Sequence, residues 1–175
     1  MKVIPTEIPD VRIVEPEVFG DERGYFFESW NKGAFEAAGI CCGFIQENES
    51  RSRFGVLRGL HYQVPPYTQA KLVRVIQGSV LDVAVELSGE NKRQLFIPRG
   101  FAHGFVVLSD NALFAYMCDN RYAPTHERGI AYDDPELGID WRVRVERFIL
   151  SPKDTANPLL ADAEVFDFQK KDYLA

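Results

Sequence analysis

The chain has 175 residues, the length of one ordinary domain, and its 46% hydrophobic residues, including 13 Phe and 7 Tyr, suffice for a sizeable core. This composition argues against intrinsic disorder. The formal net charge of −6 leaves no broad cationic surface for a nucleic-acid backbone, so an anionic ligand must meet a local cluster of Arg and Lys. We therefore predict a single domain over residues 1–175 that binds no nucleic acid.

The N-terminal segment MKVIPTEIPD differs from a signal peptide, because two prolines and two acidic residues interrupt it. Apolar runs further along, such as residues 112–117, have the length of a strand and not of a membrane span. We expect a cytoplasmic protein without a membrane segment.

The three cysteines are an odd number, and Cys41 and Cys42 are adjacent, which is a strained arrangement for a disulfide. We expect three reduced thiols that serve as packing groups.

Short segments rich in Val, Phe, Tyr and Ile are separated by 13 Gly and ten Pro, a pattern typical of an all-β domain. One short helix is predicted over residues 31–38, with Asn31 as its N-cap and Gly39 as its stop. The predicted strands cover residues 11–14, 25–29, 44–48, 56–63, 71–77, 80–87, 93–97, 102–108 and 113–119.

The succession of strands favours a closed barrel or a sandwich. The Gln77-Gly78 pair between two Val-rich runs suggests a hairpin. The segment after Leu150 changes character, and we interpret it as a lid or a short helix folded back on the barrel.

His61 lies in the segment GVLRGLHYQ, three residues after Arg58. A lone histidine in a strand is about as often a structural hydrogen-bonding group as a functional one. A regular strand would send Arg58 and His61 to opposite faces, because their positions have opposite parity. A bulge at Gly59 would bring both side chains into one pocket.

The other two histidines have plainer surroundings. His103 lies in IPRGFAHGF and shares one strand face with Phe101 and Phe105, which also fits a histidine buried among aromatic residues. His126 precedes Glu127 in a polar loop, and we expect it at the surface.

The two histidine segments resemble the metal-binding motifs of cupin barrels, G-x5-H-x-H and P-x-G-x2-H. Residues 55–61 match the first motif, but its second ligand position holds Gln63. Pro98, Gly100 and His103 match the second motif. Because an amide is a poor replacement for imidazole on a transition metal, the resemblance implies the barrel without the metal site.

A pocket containing His61, Arg58, Lys71, His103 and Tyr116 would combine a candidate base, two cations and a phenol. Such a set suits proton abstraction next to a carbonyl group. The base removes a C–H proton, the cations hold the enolate oxygen, and an acid returns a proton. Judged from these residues alone, this chemistry is one among several.

From about Val3 to Leu160 the chain resembles the dTDP-4-dehydrorhamnose 3,5-epimerases. The resemblance rests on DERGYFFESW, FIQENES, GVLRGLHYQ, KLVRVIQG, RQLFIPRGFAHGF and DDPELGIDW, which occur in this order. It implies an all-β, cupin-like jelly-roll barrel with a few short peripheral helices. It also implies a dTDP-ketosugar substrate, dTDP-4-dehydro-6-deoxy-D-glucose, with acidic hydrogens at C3 and C5, and neither a cofactor nor a metal.

The resemblance assigns a role to each matching residue. The histidine of LRGLHYQ, His61, would be the general base, Tyr116 the general acid, and Asp154 in LSPKD the residue that orients the base. Lys71 would stabilise the enolate and Arg58 the diphosphate. The further implied substrate contacts are Arg23, Glu28, Gln46, Asn48, His103, Glu127 and Lys153, with Asp82 as the partner of His103.

Family members are homodimers that exchange N-terminal strands, so the resemblance places Arg23 and Glu28 in a neighbouring subunit's site. Taken singly, Arg23 and Glu28 also fit a surface ion pair, Arg58 and Lys71 solvated strand positions, and Tyr116 an ordinary barrel aromatic. The joint match in order and spacing favours the functional interpretation.

Two features depart from the family. Arg121 stands where a tyrosine is common, so nucleotide stacking near Tyr122 is expected to differ. The stretch before Pro98 is also short, and a true deletion there would leave unpaired backbone at a sheet edge. We therefore expect that a loop between Val83 and Asn91 has been omitted and that the true chain is longer.

Other functions stay open at this point. An epimerase acting only at C3 or only at C5, and a ketoisomerase of the same barrel family, would need similar residues. A non-catalytic sugar-nucleotide-binding barrel would keep Arg58 and Lys71 without needing His61, Tyr116 and Asp154. The presence of all three favours an enzyme.

Overall fold

The computed structural model describes residues 1–83 and 85–168, which form the all-β barrel that the succession of strands favours. Two antiparallel sheets face each other, and a separate two-stranded arm and one α-helix lie outside them. In chain order the elements are β1 (Lys2–Pro5), β2 (Arg12–Glu15), β3 (Val18–Asp21), β4 (Gly24–Phe27), α1 (Lys32–Ala37), β5 (Gln46–Arg53), β6 (Leu57–Gln63), β7 (Lys71–Gln77), β8 (Ser79–Asp82), β9 (Val85–Ser88), β10 (Gln94–Ile97), β11 (His103–Val107), β12 (Asn111–Cys118) and β13 (Glu127–Gly129).

The six-stranded sheet has the order β1-β2-β10-β7-β12-β5, and the five-stranded sheet has the order β13-β6-β11-β8-β9. Strands β3 and β4 pair only with each other among the described residues, and we call this hairpin the arm. Apart from β1–β2 and β8–β9, neighbours in each sheet are not consecutive in sequence, so the barrel depends on long-range pairing.

The main core fills the space between the two sheets. It contains buried side chains from both of them, such as Val73 and Phe114 from the six-stranded sheet and Val80, Phe105 and Val107 from the five-stranded sheet. Successive side chains of a strand point to opposite faces, so Leu95 and Ile97 of β10 enter this core while Phe96 packs in a separate cluster. The core fills one end of the barrel and leaves the polar inward-facing positions at the other.

The outer face of the five-stranded sheet is covered by the C-terminal third of the chain. Leu60 and Tyr62 of β6 pack there against Ile130 and Trp141. The Tyr62 hydroxyl also donates a hydrogen bond to the carbonyl of Glu164 at 2.8 Å. The prediction that the tail folds back on the barrel is confirmed, and short 3-10 turns replace the predicted helix.

The β6–β11 pairing contains the predicted bulge. His103 pairs with His61 and Phe105 with Arg58, so β6 advances three residues where β11 advances two. The extra residue reverses the parity of β6, and both Arg58 and His61 point into the barrel. The bulge therefore brings Arg58 and His61 into one pocket, as the sequence analysis proposed.

Helix α1 agrees with the sequence prediction. Asn31 is its N-cap and accepts a hydrogen bond from the backbone N–H of Ala34 at 3.1 Å, and Gly39 follows with φ of +77°.

The predicted hairpin at Gln77-Gly78 is wrong. Strand β7 already pairs with β10 and β12 on its two edges, so it has no free edge for β8. Gly78, with φ of +79°, instead carries the chain from one sheet to the other.

The predicted strand over residues 80–87 is divided into β8 and β9, which form a tight hairpin. Asp82 pairs with Val85 in antiparallel register. The expected unpaired backbone is thus absent along the described residues of β8 and β9. Whether a longer loop belongs between Val83 and Asn91 stays a prediction.

The cysteines are free thiols, as predicted, but they differ in their surroundings. Cys118 is buried and Cys42 is partly buried against the cluster around Phe35, whereas Cys41 is exposed and is not a packing group. Burial raises the pKa of Cys42 to about 12, so this thiol stays protonated at neutral pH.

Each helix in the described part of the chain falls short of the length and hydropathy that crossing a bilayer requires. The cytoplasmic location stays a prediction.

The bulge generates a testable prediction at Gly59, which has φ of +131°. A Cβ atom there would lie 2.5 Å from Gly104 Cα and 2.9 Å from the carbonyl oxygen of His103. We expect Gly59→Ala to lower the free energy of unfolding by about 2 kcal/mol or more, measured by urea denaturation. Gly43→Ala is the control, because a Cβ atom at Gly43 would meet no heavy atom of the described residues within 4 Å. Equal stability of the two variants would show that the bulge does not require glycine.

Candidate active site

A pocket of about 480 Å³ opens at the polar end of the barrel and is lined by both sheets. This volume suits a small-molecule ligand. Ten of the twelve predicted site residues line it: Gln46, Asn48, Arg58, His61, Lys71, His103, Tyr116, Glu127, Lys153 and Asp154. Their roles stay predictions, but the fold brings them together as the sequence motifs led us to expect.

The six-stranded sheet contributes rows of side chains fixed by strand register. Gln46, Cys118 and Lys71 are aligned across β5, β12 and β7, and Asn48 and Tyr116 are aligned across the first two of these strands. Because residues aligned across a sheet share one face, the amides, the phenol and the ammonium group all enter the pocket from this wall.

The opposite wall is the five-stranded sheet. His61 of β6 pairs with His103 of β11, and Gln63 of β6 pairs with Glu127 of β13. His61 and Tyr116 therefore approach the pocket from facing sheets. A ligand between them would meet an imidazole on one side and a phenol on the other.

The imidazole of His61 lies against the carboxylate of Asp154, with Nε2 2.7 Å from Oδ1, although the ring is not aligned for an ideal hydrogen bond. Burial raises the pKa of Asp154, but the His61 contact and hydrogen bonds from Ser151 and the Gly59 backbone outweigh it and lower the pKa to about 2. The carboxylate is thus charged at neutral pH. With Nε2 engaged, Nδ1 is the nitrogen left for exchanging a proton with a ligand.

A second imidazole–carboxylate pair lies beside the first. His103 Nε2 is 2.7 Å from Asp82 Oδ2, as the resemblance implied, and the other oxygen of Asp82 has no hydrogen-bond partner among the described residues. The His103 ring also stacks on Phe114, with centroids 6.4 Å apart, so the prediction of aromatic surroundings is correct too.

Burial disfavours the charged forms of Lys71 and Tyr116 on the six-stranded wall and so shifts the pKa of each. It lowers the pKa of Lys71, while the nearby Cys118, Glu127 and Asp82 oppose this shift. It raises the pKa of Tyr116, against the influence of Arg58. Tyr116 is therefore a protonated phenol at neutral pH and can donate a proton.

Glu127 organises the mouth of the pocket. It accepts a hydrogen bond from the Tyr122 hydroxyl at 2.5 Å and forms an ion pair with Lys153. Burial raises the pKa of Glu127, but the hydrogen bonds from Lys153 and Tyr122 outweigh it and leave the pKa below its ordinary value. The hydrogen bond to Glu127 raises the pKa of Tyr122 to about 12.

Arg121 lies next to this mouth and contacts Tyr67. Its guanidinium group donates a hydrogen bond to the Tyr67 hydroxyl at 2.8 Å, and its Cζ lies 4.9 Å from the ring centroid. His126, which we predicted at the surface, is partly exposed, and its ring centroid lies 4.5 Å from that of Tyr67 in an edge-to-face contact. Altered nucleotide stacking near Tyr122 stays a prediction.

Arg23 and Glu28 do not reach the pocket of their own chain. Arg23, on the arm, forms an ion pair with Asp21, and Glu28 accepts a hydrogen bond from Asn31 at 3.1 Å. Both are exposed.

Sequence reasoning missed several residues at the site. Gln63 holds three backbone groups around the mouth, at Tyr67, Arg121 and Ala123. Its two-residue spacing from His61 was a usable signal, because alternate strand residues share a face. The spacing of Cys118 from Tyr116 was the same signal. The remaining lining residues that we did not predict are Glu49, Ser50, Gln69, Phe105, Phe114, Tyr122, Ser151 and Tyr62, the last of which borders the pocket although its ring packs on the outer face of β6.

Within residues 1–83 and 85–168, no group of three or more His, Cys, Asp and Glu side chains is arranged to hold a metal ion. Gln63, at the second ligand position of the cupin motif, directs both ends of its amide to the backbone.

Comparison with known proteins places this pocket in context. The family model of dTDP-4-dehydrorhamnose 3,5-epimerase matches residues 5–88 and 83–162. The dTDP-4-dehydrorhamnose 3,5-epimerase of Shigella flexneri is 52% identical over 182 aligned positions, covering 95% of this chain and 99% of the relative, and that of Pseudomonas aeruginosa is 51% identical with the same coverage.

Among solved structures, the dTDP-6-deoxy-D-glucose-3,5-epimerase of Legionella pneumophila superposes with a TM-score of 0.89. It is 46% identical, with 95% of this chain and 99% of that chain covered, and it was solved in complex with dTDP-4-keto-L-rhamnose.

The two stretches matched by the family model overlap at residues 83–88, within the β8–β9 hairpin.

Fold and pocket together define a cupin-like barrel enzyme of the isomerase type, with an imidazole and a phenol on opposite walls. The matches over most of its length identify it further. The chain belongs to the dTDP-4-dehydrorhamnose 3,5-epimerase family.

Proposed function

We propose that the protein epimerises dTDP-4-dehydro-6-deoxy-D-glucose at C3 and C5 to give dTDP-4-dehydro-L-rhamnose. The observation that carries the proposal is the placement of His61 and Tyr116 on facing walls of one pocket. Inversion at carbon requires that a proton leave from one face and return to the other. The names of the relatives and the ketosugar in the Legionella structure support the choice of substrate.

Each inversion consists of two proton transfers. His61 takes the proton from the carbon next to the C4 ketone, and the C–H electron pair moves to the ketone oxygen to form an enolate. Lys71 stabilises that oxygen as an ammonium group. Tyr116 then protonates the carbon from the opposite face, and exchange with water removes the proton from His61 and restores the one on Tyr116.

The remaining pocket residues bind the substrate in this proposal. Arg58, whose guanidinium is held by Ser52 Oγ at 3.2 Å, binds the diphosphate. Lys153 and Glu127 at the mouth contact the nucleotide part. Gln46, Asn48 and His103 supply hydrogen bonds to the sugar, and Asp154 orients His61.

A single-centre epimerase would use the same walls but would exchange only one carbon-bound hydrogen. Proton NMR of the dTDP-ketosugar in deuterated buffer distinguishes these cases. We expect deuterium at both C3 and C5 with the wild-type protein. Exchange at only one carbon would contradict double epimerisation, and no exchange would point to a non-catalytic barrel.

The same experiment separates the roles of the two walls. We expect His61→Ala to lower turnover by roughly two to four orders of magnitude, the scale of a general base, while the protein still folds. Tyr116→Phe should keep deuterium incorporation at a reduced rate while inversion is impaired, because abstraction does not need the phenol. Wild-type turnover by His61→Ala would remove His61 from the mechanism, and normal inversion by Tyr116→Phe would assign the acid elsewhere.

We also propose that the protein is a homodimer in which the arm is exchanged between subunits. The arm exposes large apolar side chains, among them Phe19 at 56%, Tyr25 at 60% and Phe26 at 69% exposure. Contiguous exposed apolar groups mark interaction surfaces. Arg23 and Glu28 lie on or beside this arm, so exchange would carry them to the partner's pocket.

Mixing two inactive variants tests the exchange. In a mixed dimer of Arg23→Ala with His61→Ala, one pocket would receive both substitutions and the other neither, so we expect activity to return on mixing. Arg58→Ala with His61→Ala is the control, because each pocket then keeps one defect and activity should stay low. No recovery in the first mixture, or a monomer in sedimentation velocity, would contradict the proposal.

A further inference from the structure

The turn that delivers Asp154 to the pocket has the sequence Ser-Pro-Lys-Asp, residues 151–154. Ser151 Oγ accepts a hydrogen bond from the backbone N–H of Asp154 at 3.2 Å, and Asp154 Oδ2 accepts one from the backbone N–H of Ser151 at 3.3 Å. This reciprocal arrangement is that of a capping box, with proline at the first position of the turn. The local sequence therefore fixes the backbone around Asp154.

The side chain of Ser151 does more than cap the turn. Its hydroxyl donates a hydrogen bond to Asp154 Oδ2 at 2.6 Å, the shortest contact that this carboxylate makes with a donor. Oδ1 accepts from the backbone N–H of Gly59 at 3.3 Å and faces His61 Nε2. The two oxygens thus have separate partners, and the carboxylate cannot rotate without breaking both sets of contacts.

We propose that Ser151 is a positioning residue for proton transfer and acts on His61 through Asp154. This inference rests on the proposed role of His61 as the base. The hydroxyl holds Oδ2, so Oδ1 stays directed at the imidazole, and the imidazole presents its other nitrogen to the substrate. Ser151, Asp154 and His61 form a continuous chain of contacts from the C-terminal turn to the reacting carbon.

Removal of the hydroxyl should weaken this orientation. Asp154 is only 4% exposed, so water cannot readily replace the lost donor, and the remaining N–H of Ser151 lies at 3.3 Å. Hydrogen bonds to charged groups carry enough free energy for a loss of about tenfold to a hundredfold in kcat. The KM should change little, because the defect lies in the orientation of the base and not in a contact with the substrate.

The central test is a double-mutant cycle with Ser151→Ala and Asp154→Asn, followed by turnover measurements of all four proteins. A residue that acts through Asp154 should lower kcat in the wild-type background and have almost no further effect when Asp154 is already changed. Ser151→Thr, which keeps the hydroxyl, should restore most of the activity.

Thr155→Val provides a matched control in the same turn. Its hydroxyl donates a hydrogen bond to the carbonyl of Pro152 at 3.0 Å and not to the Asp154 carboxylate, so this variant should keep wild-type kcat. Ser151→Ala also weakens the capping box, and melting temperatures of all variants separate a loss of folding from a loss of turnover. If Ser151→Ala does not fold, Ser151→Cys replaces it, because a thiol keeps the shape and donates only weakly.

Two outcomes would overturn the inference: an unchanged kcat in the folded Ser151 variant, or an equal loss of kcat with and without Asp154→Asn. The second would show that Ser151 acts independently of the carboxylate. Neither outcome touches the proposed function, which fails if the wild-type protein does not exchange hydrogen at both C3 and C5. The two failures are therefore distinguishable in one set of proteins.

Discussion

The contact between His61 and the buried carboxylate of Asp154 is the interaction on which the rest of the site depends. A carboxylate taken out of water is costly unless other groups compensate for its lost hydration. Here an imidazole, a serine hydroxyl and two backbone N–H groups do so, and the pKa of about 2 shows that these contacts outweigh the burial. The strand that carries His61 and the C-terminal turn that carries Asp154 must therefore fold together.

This requirement explains why the tail packs so extensively against the barrel. Tyr62 lies next to His61 in β6 but points to the outer face, where it contacts Phe166 and hydrogen-bonds to the carbonyl of Glu164. The same strand thus presents its pocket-lining face inward and anchors the tail on its outward face. The bulge at Gly59 completes the arrangement, because it turns Arg58 toward the pocket without displacing His61.

Much of this architecture could be predicted from the sequence. Alternation along the strands, the Asn31 cap and the glycine within LRGLHYQ each carried a local physical signal, and the motif order indicated the family.

The sequence predictions were wrong where strand pairing depends on residues that are distant in sequence. Gln77-Gly78 has the sequence of a hairpin turn, yet β7 is occupied on both edges, which no local pattern reveals. Strand β5 was placed too early because its ENESRSR segment is polar on both faces. Ser151 was missed, although the S-x-x-D spacing of a capping box was present.

The central claim is that His61 and Tyr116 act from opposite faces of one sugar ring. The most direct measurement is a crystal structure of this protein with a dTDP-sugar bound in the pocket. The account predicts that His61 Nδ1 and the Tyr116 hydroxyl lie on opposite sides of the ring plane, each close to C3 or C5, with Asp154 still against Nε2. A sugar bound with both groups on the same face, or with the ring outside the space between the sheets, would contradict it.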